Sequence, residues 1–279
     1  MDRLPLIVIR GGGDLASGVA YRLFRSGFPI LMTEVAHPRM VRCSVSFGEA
    51  ILSGSVFVED VQARLIEGAP VEIESVLRRE FIGVMIDPEG QIIDKLSPRV
   101  IVDARMLKVE LEDQRRSNCA VIGLGPGFTA GENVDYVIET MRGITLGKVI
   151  DRGSAIANTG TPGVVAGESV RRLIRAPISG TFKAIKKLGD IVEAEDVVGY
   201  VDGVPVKVAI AGRLRGLIRD NIFVNSQEKL GDCDPRGEKV DIYTISDKSR
   251  AIGGGVLEAA MRYLFAGKDS KEEGVLFRT

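Results

Sequence analysis

Residues 6–18 read LIVIRGGGDLASG, and this stretch predicts how the first part of the chain folds. Residues 6–9 form an apolar run of the kind found in a strand that is buried on both faces. Three glycines follow, and beyond them an apolar face at helical spacing continues as far as Gly27. Residues 29–35 have the character of a second strand. The order strand, glycine turn, helix, strand is typical of an α/β sheet.

The spacing Gly11-x-Gly13-x-x-Ala16, between a strand and a helix, predicts a dinucleotide-binding turn. The glycines allow a tight turn, and the helix N-terminus attracts a phosphate. Glu34 ends the second predicted strand, where an acid can bind ribose hydroxyls. Asp14 is discordant, because a carboxylate repels phosphate unless it caps the helix, and an empty site of the same shape is the alternative. The predicted cofactor-binding residues here are Gly11, Gly12, Gly13, Asp14, Leu15 and Glu34.

Two further strand patterns, at residues 99–105 and 119–124, end in polar or glycine residues. Ligands collect beyond the carboxyl ends of parallel strands, so we expect these ends and the first glycine turn to share one crevice. Asp103 and Lys108 are the candidates for an acid or base, and Asp103 can equally cap a loop. Gly125, Gly127 and Thr129 lie in a glycine-rich turn that could bind an anion through backbone N–H groups. Residues 58–66 and 70–79 favour helices between these strands.

Composition excludes several classes of function. Lys and Arg number 37 against 38 Asp and Glu, and aromatic residues make up 5%, so we expect no nucleic-acid partner. Three scattered cysteines and one histidine form neither a disulfide framework nor a metal site. No leader pattern and no apolar run long enough for a membrane span are visible. We therefore expect a cytoplasmic protein without a bound metal.

An internal repeat marks the last third of the chain. At an offset of 32 residues, Gly180 aligns with Gly212, Phe182 with Leu214, and further apolar positions follow. Short β patterns alternate with turns in both copies, and residues 176–180 read APISG. This pattern resembles the barrel-sandwich hybrid of lipoyl and biotinyl domains, without their Met-Lys carrier site. After it, residues 252–264 predict a helix, with three glycines at positions 253–255 near its start.

The fold-class prediction is therefore α/β, with three parts. Residues 1–168 are expected to form a Rossmann-like domain built on a parallel sheet. Residues 169–248 are expected to form a small all-β domain of the barrel-sandwich type. Residues 249–279 are expected to form a C-terminal helix and tail that pack on the N-terminal domain.

Six sequence blocks in order resemble the YqeB-type accessory family of selenium-dependent molybdenum hydroxylase systems. This resemblance extends over essentially the full chain and implies a maturation or cofactor-handling protein. It implies no catalytic residues, because the family has none that are settled. The blocks are IRGGGDLASGVAYRLFRSGF (9–28), GLGPGFTAG (123–131), ANTGTPG (157–163), RAPISGTF (175–182), KLGDCDPRG (229–237) and IGGGVLEAA (252–260).

Three functions remain open at this point. The first is an accessory protein that binds an anionic ligand in the crevice and docks on a molybdenum hydroxylase client or on other maturation proteins. Its ligand would be NAD(P), another nucleotide or a molybdopterin-type cofactor. The second is a nicotinamide-dependent oxidoreductase, and the third is an interaction scaffold with an empty crevice. Assembly into a homo-oligomer is compatible with each of them.

Overall fold

A computed structural model describes residues 4–107, 109–158, 160 and 163–266 of the protein. The first half of the chain alternates short helices with the strands of one large sheet. Its elements, in chain order, are β1 (Ile7–Arg10), α1 (Asp14–Arg25), β2 (Ile30–Glu34), α2 (Ala50–Ser53), β3 (Ser55–Val58), β4 (Val61–Leu65), α3 (Pro70–Leu77), β5 (Ile82–Ile86), α4 (Ile92–Leu96), β6 (Val100–Asp103), β7 (Ala120–Leu124), β8 (Thr129–Ala130), β9 (Tyr136–Ile138), β10 (Val149–Ile150) and β11 (Gly153–Ser154).

The second half consists of short strands followed by one long helix. Its elements are β12 (Leu173–Arg175), β13 (Gly180–Ala184), β14 (Ile191–Val192), β15 (Val197–Val201), β16 (Val204–Lys207), β17 (Gly212–Leu217), β18 (Ile222–Val224), β19 (Lys229–Asp234) and α5 (Asp247–Phe265).

The first half is built on a nine-stranded sheet in the order β10-β9-β7-β6-β1-β2-β5-β4-β3. Strand β1 pairs in parallel with β2 on one side and with β6 on the other. Both edges are antiparallel, because β10 runs against β9 and β3 runs against β4. The central strands are fully buried, since side chains pack on both faces of the sheet. The strand–turn–helix–strand unit that residues 6–18 predict is thus present as β1, α1 and β2.

Helix α5 returns from the C-terminus to cover the face of the sheet that carries α1. It contacts α1 along its length and also lies against β7, β9 and β10. The two helices touch closely, because a Cβ built on Gly18 would lie 2.5 Å from the Cβ of Ser249, and one built on Gly253 would lie 2.9 Å from the carbonyl oxygen of Gly18. Glycine inside these helices therefore permits the contact, although it lowers intrinsic helix stability.

Residues 173–234 form two four-stranded antiparallel sheets around their own core. The internal repeat corresponds to real structural units, since Gly180 begins β13 and Gly212 begins β17. The sheets are attached directly to the first half of the chain, because the amide of Leu217 donates to the carbonyl of Val41 at 2.8 Å. We call this part the β sandwich.

The fold-class prediction of a Rossmann-like parallel sheet followed by a lipoyl-like module is wrong. The large sheet is mixed, with antiparallel strands at both edges, and few helices accompany it. The described residues between β6 and β7, and between β7 and β9, contain no helix, and α5 covers that face instead. Glycine-rich sequence in the connection after β7 disfavours a helix there. The predicted domain boundaries stay a prediction.

Candidate functional site

In the first glycine turn, the backbone amides of Gly11 and Gly12 donate hydrogen bonds to other groups of the protein. The amide of Gly11 donates to the carbonyl of Thr33 at 2.8 Å, and the amide of Gly12 donates to Glu34 Oε2 at 2.7 Å. The other oxygen of Glu34 accepts the amide of Val35 at 2.8 Å. A Cβ on Gly11 would lie 3.1 Å from the carbonyl oxygen of Ala104. Glu34 therefore closes the turn in this structure.

Asp14 connects three parts of the chain at the start of α1. One oxygen accepts a 2.8 Å hydrogen bond from Arg42 Nη1, and the other accepts a 2.8 Å hydrogen bond from the hydroxyl of Ser249 in α5. A carboxylate in the first turn also interacts favourably with the helix dipole. Gly13 precedes it as the N-cap, in an extended conformation, and Leu15 packs against the main core. The discordant carboxylate thus has a structural use.

The second glycine turn is also internally bonded. The amide of Gly125 donates to the carbonyl of Ile138 at 2.9 Å, and the amide of Thr129 donates to Asn133 Oδ1 at 2.8 Å. A Cβ on Gly127 would lie 2.5 Å from the carbonyl oxygen of Val109. Ala104 and Val109, which contact Gly11 and Gly127, belong to one segment that lies against both turns. The structure therefore does not place the two turns around a shared open space.

Asp103 lies buried at the carboxyl end of β6 and binds Arg105. Arg105 Nε lies 3.0 Å from Oδ1 and 3.2 Å from Oδ2 of this carboxylate, and Arg105 Nη2 also donates to Oδ2. Both oxygens are thus occupied, and Asp103 fixes the guanidinium of Arg105. The second candidate acid or base, Lys108, lies outside the described residues.

A cleft of about 460 Å³ opens beyond the carboxyl ends of β1 and β2, beside the segment that follows β6. We call it the strand-end cleft. Its volume suits a small ligand. Ligands of open α/β sheets usually bind beside a strand from which the chain continues to one side and later to the other, and β1 is such a strand, with β2 on one side and β6 on the other. It is lined by Gly11, Thr33, Glu34, Val35, His37, Arg39, Pro88, Arg105 and Leu107.

The walls of the strand-end cleft combine two ion-paired guanidinium groups, the carboxylate of Glu34 and apolar side chains. Arg39 reaches across to the β sandwich, where Nη1 donates to Glu228 Oε1 at 2.8 Å and Nη2 donates to the carbonyl of Phe223 at 2.9 Å. Arg105 is the second guanidinium in the lining. Val35 and Leu107 supply exposed apolar surface. Two guanidinium groups beside apolar walls suit a ligand with an anionic group and a flat apolar body.

Most of the nine described lining residues, Arg39 and Leu107 among them, were not predicted as cofactor-binding residues from the sequence. Arg39 is positioned by Glu228, which is 189 residues away in the chain, so local sequence contains no signal for its role. Leu107 follows β6 in an irregular segment, where an exposed apolar residue has no periodic pattern to mark it. Of the predicted residues, Gly11 and Glu34 do line the cleft.

Two of the three cysteines are buried within apolar surroundings. Desolvation raises the pKa of Cys119 and of Cys233 to about 11. At pH 8 only about 0.1% of either thiol is therefore expected as thiolate, the reactive form. We predict that iodoacetamide modifies both residues in the native protein at least a hundredfold more slowly than in the urea-unfolded protein, as measured by peptide mass spectrometry. Fast native labelling of either thiol would contradict this burial.

The described residues contain no group of three or more His, Cys, Asp or Glu side chains that could hold a metal ion. None of the described helices has both the length and the apolar character needed to cross a membrane.

Comparison with solved structures gives only weak likenesses. An aspartoacylase family protein from Mesorhizobium loti aligns with a TM-score of 0.25 and 8% identity, over 83% of this chain and 85% of that chain. A succinylglutamate desuccinylase/aspartoacylase from Rhodobacter sphaeroides aligns with a TM-score of 0.24 and 8% identity, over 82% of this chain and 85% of that chain. TM-scores this low carry no argument about fold or activity.

Comparison with curated sequences is more informative. No protein-family model matches the chain. The chain is 45% identical over 268 residues to the uncharacterized protein YqeB of Escherichia coli strain K12. The match covers 96% of this chain and 49% of the relative, so the chain spans about half the length of the curated protein it matches. Identity at this level over 96% of the chain supports a relationship to the YqeB-type family.

Proposed function

We propose that the protein binds a small anionic ligand in the strand-end cleft and serves as an accessory protein for a molybdenum hydroxylase. The observation that supports ligand binding is the cleft itself, about 460 Å³ in volume, with Arg39, Arg105 and His37 among its lining residues. A nucleotide or a pterin-type phosphate is the ligand class proposed, because both join an anionic group to a flat ring.

Arg105 is the residue best placed to receive the anionic group. Its guanidinium is oriented by the buried carboxylate of Asp103, so little side-chain freedom is lost when a ligand binds. Guanidinium groups also match phosphate and carboxylate oxygens in geometry. Leu107 and Val35 would then contact the ring of the ligand. Asp103 acts in this proposal as a positioning residue.

The accessory role is supported by the family resemblance of the six sequence blocks. The matched curated relative is named only as uncharacterized, and its client is therefore part of the proposal. The oxidoreductase hypothesis, with Asp103 or Lys108 as its acid or base, stays a prediction, because Asp103 is bound by Arg105 but Lys108 lies outside the described residues. A client would be identified by co-purification of a molybdenum hydroxylase with the tagged protein.

Leu107→Glu is expected to weaken ligand binding about thirtyfold. Leu107 is 47% exposed, so the substitution should not disturb the core. At about 8 Å and an effective dielectric constant near 20, a new carboxylate repels a ligand anion by about 2 kcal/mol. The measurement is isothermal titration calorimetry with the compound that most raises Tm among NAD, NADP, ATP, CTP and molybdopterin nucleotides.

The matched control is Leu52→Glu, which places the same charge on a leucine that is 42% exposed and outside the cleft. This variant should bind the ligand as the wild type does. If no compound in the panel raises Tm, or if both variants bind equally well, the proposed ligand site is wrong.

A further inference from the structure

A second group of cationic side chains lies where the β sandwich meets the start of α1. It consists of Arg42, Arg172, Arg215 and Lys229, and we call it the junction cluster. Leu217 in β17 hydrogen-bonds to Val41, which places the strand that carries Arg215 directly beside Arg42. The cluster is separate from the strand-end cleft, and none of its four residues lines that cleft.

Arg42 is buried and only partly satisfied. Its Nη1 donates to Asp14 Oδ2 at 2.8 Å, and its Nη2 donates to the carbonyl of Thr244 at 3.3 Å. Its Nε is buried and has no hydrogen-bond partner in the described part of the protein. Because Asp14 also binds Ser249, this guanidinium lies beside the N-terminal turns of both α1 and α5.

Arg172 shows the same pattern. Its Nη2 lies 3.0 and 2.8 Å from the two carboxylate oxygens of Asp232, and its Nη1 donates to the carbonyl of Gly163 at 3.3 Å. Its Nε is likewise buried without a partner among the described residues. A buried donor that finds no acceptor is rare in proteins and costs stability.

Arg215 is the least satisfied member of the cluster. It lies at a register shift between Leu214 and Gly216, where a β-bulge redirects a side chain. Its side chain is 14% exposed, and its Nη1 lies 3.9 Å from Asp234 Oδ2, too far for a hydrogen bond. Asp234 is already bound by Arg236 at 2.7 Å. Over the described residues, the guanidinium of Arg215 donates no hydrogen bond.

Lys229 completes the cluster from the start of β19. The residue is exposed, and desolvation by the surrounding protein lowers the pKa of its ammonium. The carboxylates of Asp232 and Asp14 oppose this shift, and the guanidinium groups of Arg172 and Arg215 add to it. Desolvation and Arg42 similarly lower the pKa of Arg215. The four cations face the carboxylates of Asp14, Asp232 and Asp234, the last of which also binds Arg236.

We propose that the junction cluster binds a compact oxyanion of the phosphate class between the β sandwich and the N-terminal turns of α1 and α5. The guanidinium of Arg215, which donates no hydrogen bond within the described residues, and the ammonium of Lys229 would bind the oxygens of this oxyanion. The negative charge of the oxyanion would offset the positive charge of the junction cluster. This goes beyond the ligand proposed for the strand-end cleft and does not depend on it.

The experiment measures Tm and calorimetric binding with inorganic phosphate and pyrophosphate, against chloride at matched ionic strength. The wild type should bind pyrophosphate, and Arg215→Met should bind it at least tenfold more weakly, as expected for loss of a charged hydrogen bond. Without an oxyanion, Arg215→Met should melt at or above the wild-type Tm, because it removes a buried charge that lacks partners. Lys183→Met, on an exposed strand position of the other sheet, should behave as the wild type.

Lys229→Met gives the same test at an exposed position, should Arg215→Met not fold. Leu107→Glu should keep its affinity for pyrophosphate, and Arg215→Met should keep its affinity for the cleft ligand, so failure of one proposal is distinguishable from failure of the other. The proposal is overturned if the wild type responds to pyrophosphate no more than to chloride, or if Arg215→Met binds with unchanged affinity.

Discussion

Replacing Asp232 by alanine is expected to lower the free energy of unfolding by about 3–5 kcal/mol. The side chains of Arg172 and Asp232 are 7% and 8% exposed, so the substitution leaves a guanidinium buried without its counter-charge. The loss comes mainly from that unpaired charge, since an intact buried ion pair contributes little by itself. Urea unfolding followed by circular dichroism would measure the change.

Two comparisons make this prediction specific. Glu258→Ala breaks an ion pair with Arg262 whose side chains are both about half exposed, and it should cost less than about 1 kcal/mol. The double variant Asp232→Leu with Arg172→Met should recover most of the lost stability, because it removes both charges together. If Asp232→Ala and Glu258→Ala lowered the free energy of unfolding equally, the burial of the Arg172–Asp232 pair would be contradicted.

Gly18→Val is expected to destabilise the protein by about 3 kcal/mol, at the upper end of the range for overpacked cores. A Cβ at this position would lie 2.5 Å from the Cβ of Ser249, a separation that side chains do not tolerate. Valine would push α5 away from α1 and weaken the hydrogen bond between Ser249 and Asp14. Removing a helical glycine should by itself stabilise the helix by at most about 1 kcal/mol. Because the steric clash with Ser249 costs more than this gain, the net change in the free energy of unfolding should be a loss.

Gly254→Ala is the matched control for Gly18→Val. Gly254 is also inside a helix, but a Cβ there would meet nothing within 4 Å. Alanine at this position should raise the free energy of unfolding by up to about 1 kcal/mol, because helix propensity is then the main effect. The same urea titration measures both variants. A stabilising effect of Gly18→Val would mean that α1 and α5 do not pack in contact.

The local sequence pattern was sufficient to predict β1, α1 and β2. Residues 6–9 and 29–35 form β1 and β2, and the glycines between them open α1. The prediction of a helix over residues 58–66 was wrong, because this stretch contains the β3–β4 turn and strand β4, with the side chains of Val61 and Ala63 buried on one face. Alternation at period two and a helical stripe cannot be separated in so short a segment.

The boundary of α5 shows how tertiary packing overrides propensity. Three glycines at 253–255 favour a turn before a helix, yet α5 begins at Asp247 and continues through them. The reason is contact: a Cβ on Gly253 would meet the backbone of Gly18, and one on Gly255 would lie 2.1 Å from the carbonyl oxygen of Gly147. No sequence pattern within α5 identifies these distant partners.

Two of the nine predicted cofactor-binding residues line the strand-end cleft, and their role in binding a ligand stays a prediction. The rule that ligands lie beyond strand ends leads to Gly11 and Glu34, which do line the strand-end cleft. Sequence alone could not show that Glu34 binds the amide of Gly12, because that depends on the side chain turning back on the glycine turn. Arg39 and Arg215 owe their placement to the β sandwich, through Glu228 and a β-bulge respectively. Their contribution is visible only in three dimensions.

A crystal structure of the protein with the panel compound that gives the largest rise in Tm would test ligand binding most directly. We expect electron density for that compound in the strand-end cleft, with its anionic group within hydrogen-bond distance of Arg105 or Arg39 and its ring against Leu107. The proposed site would be contradicted if the compound were bound elsewhere on the protein while the strand-end cleft kept the same lining residues and held no compound.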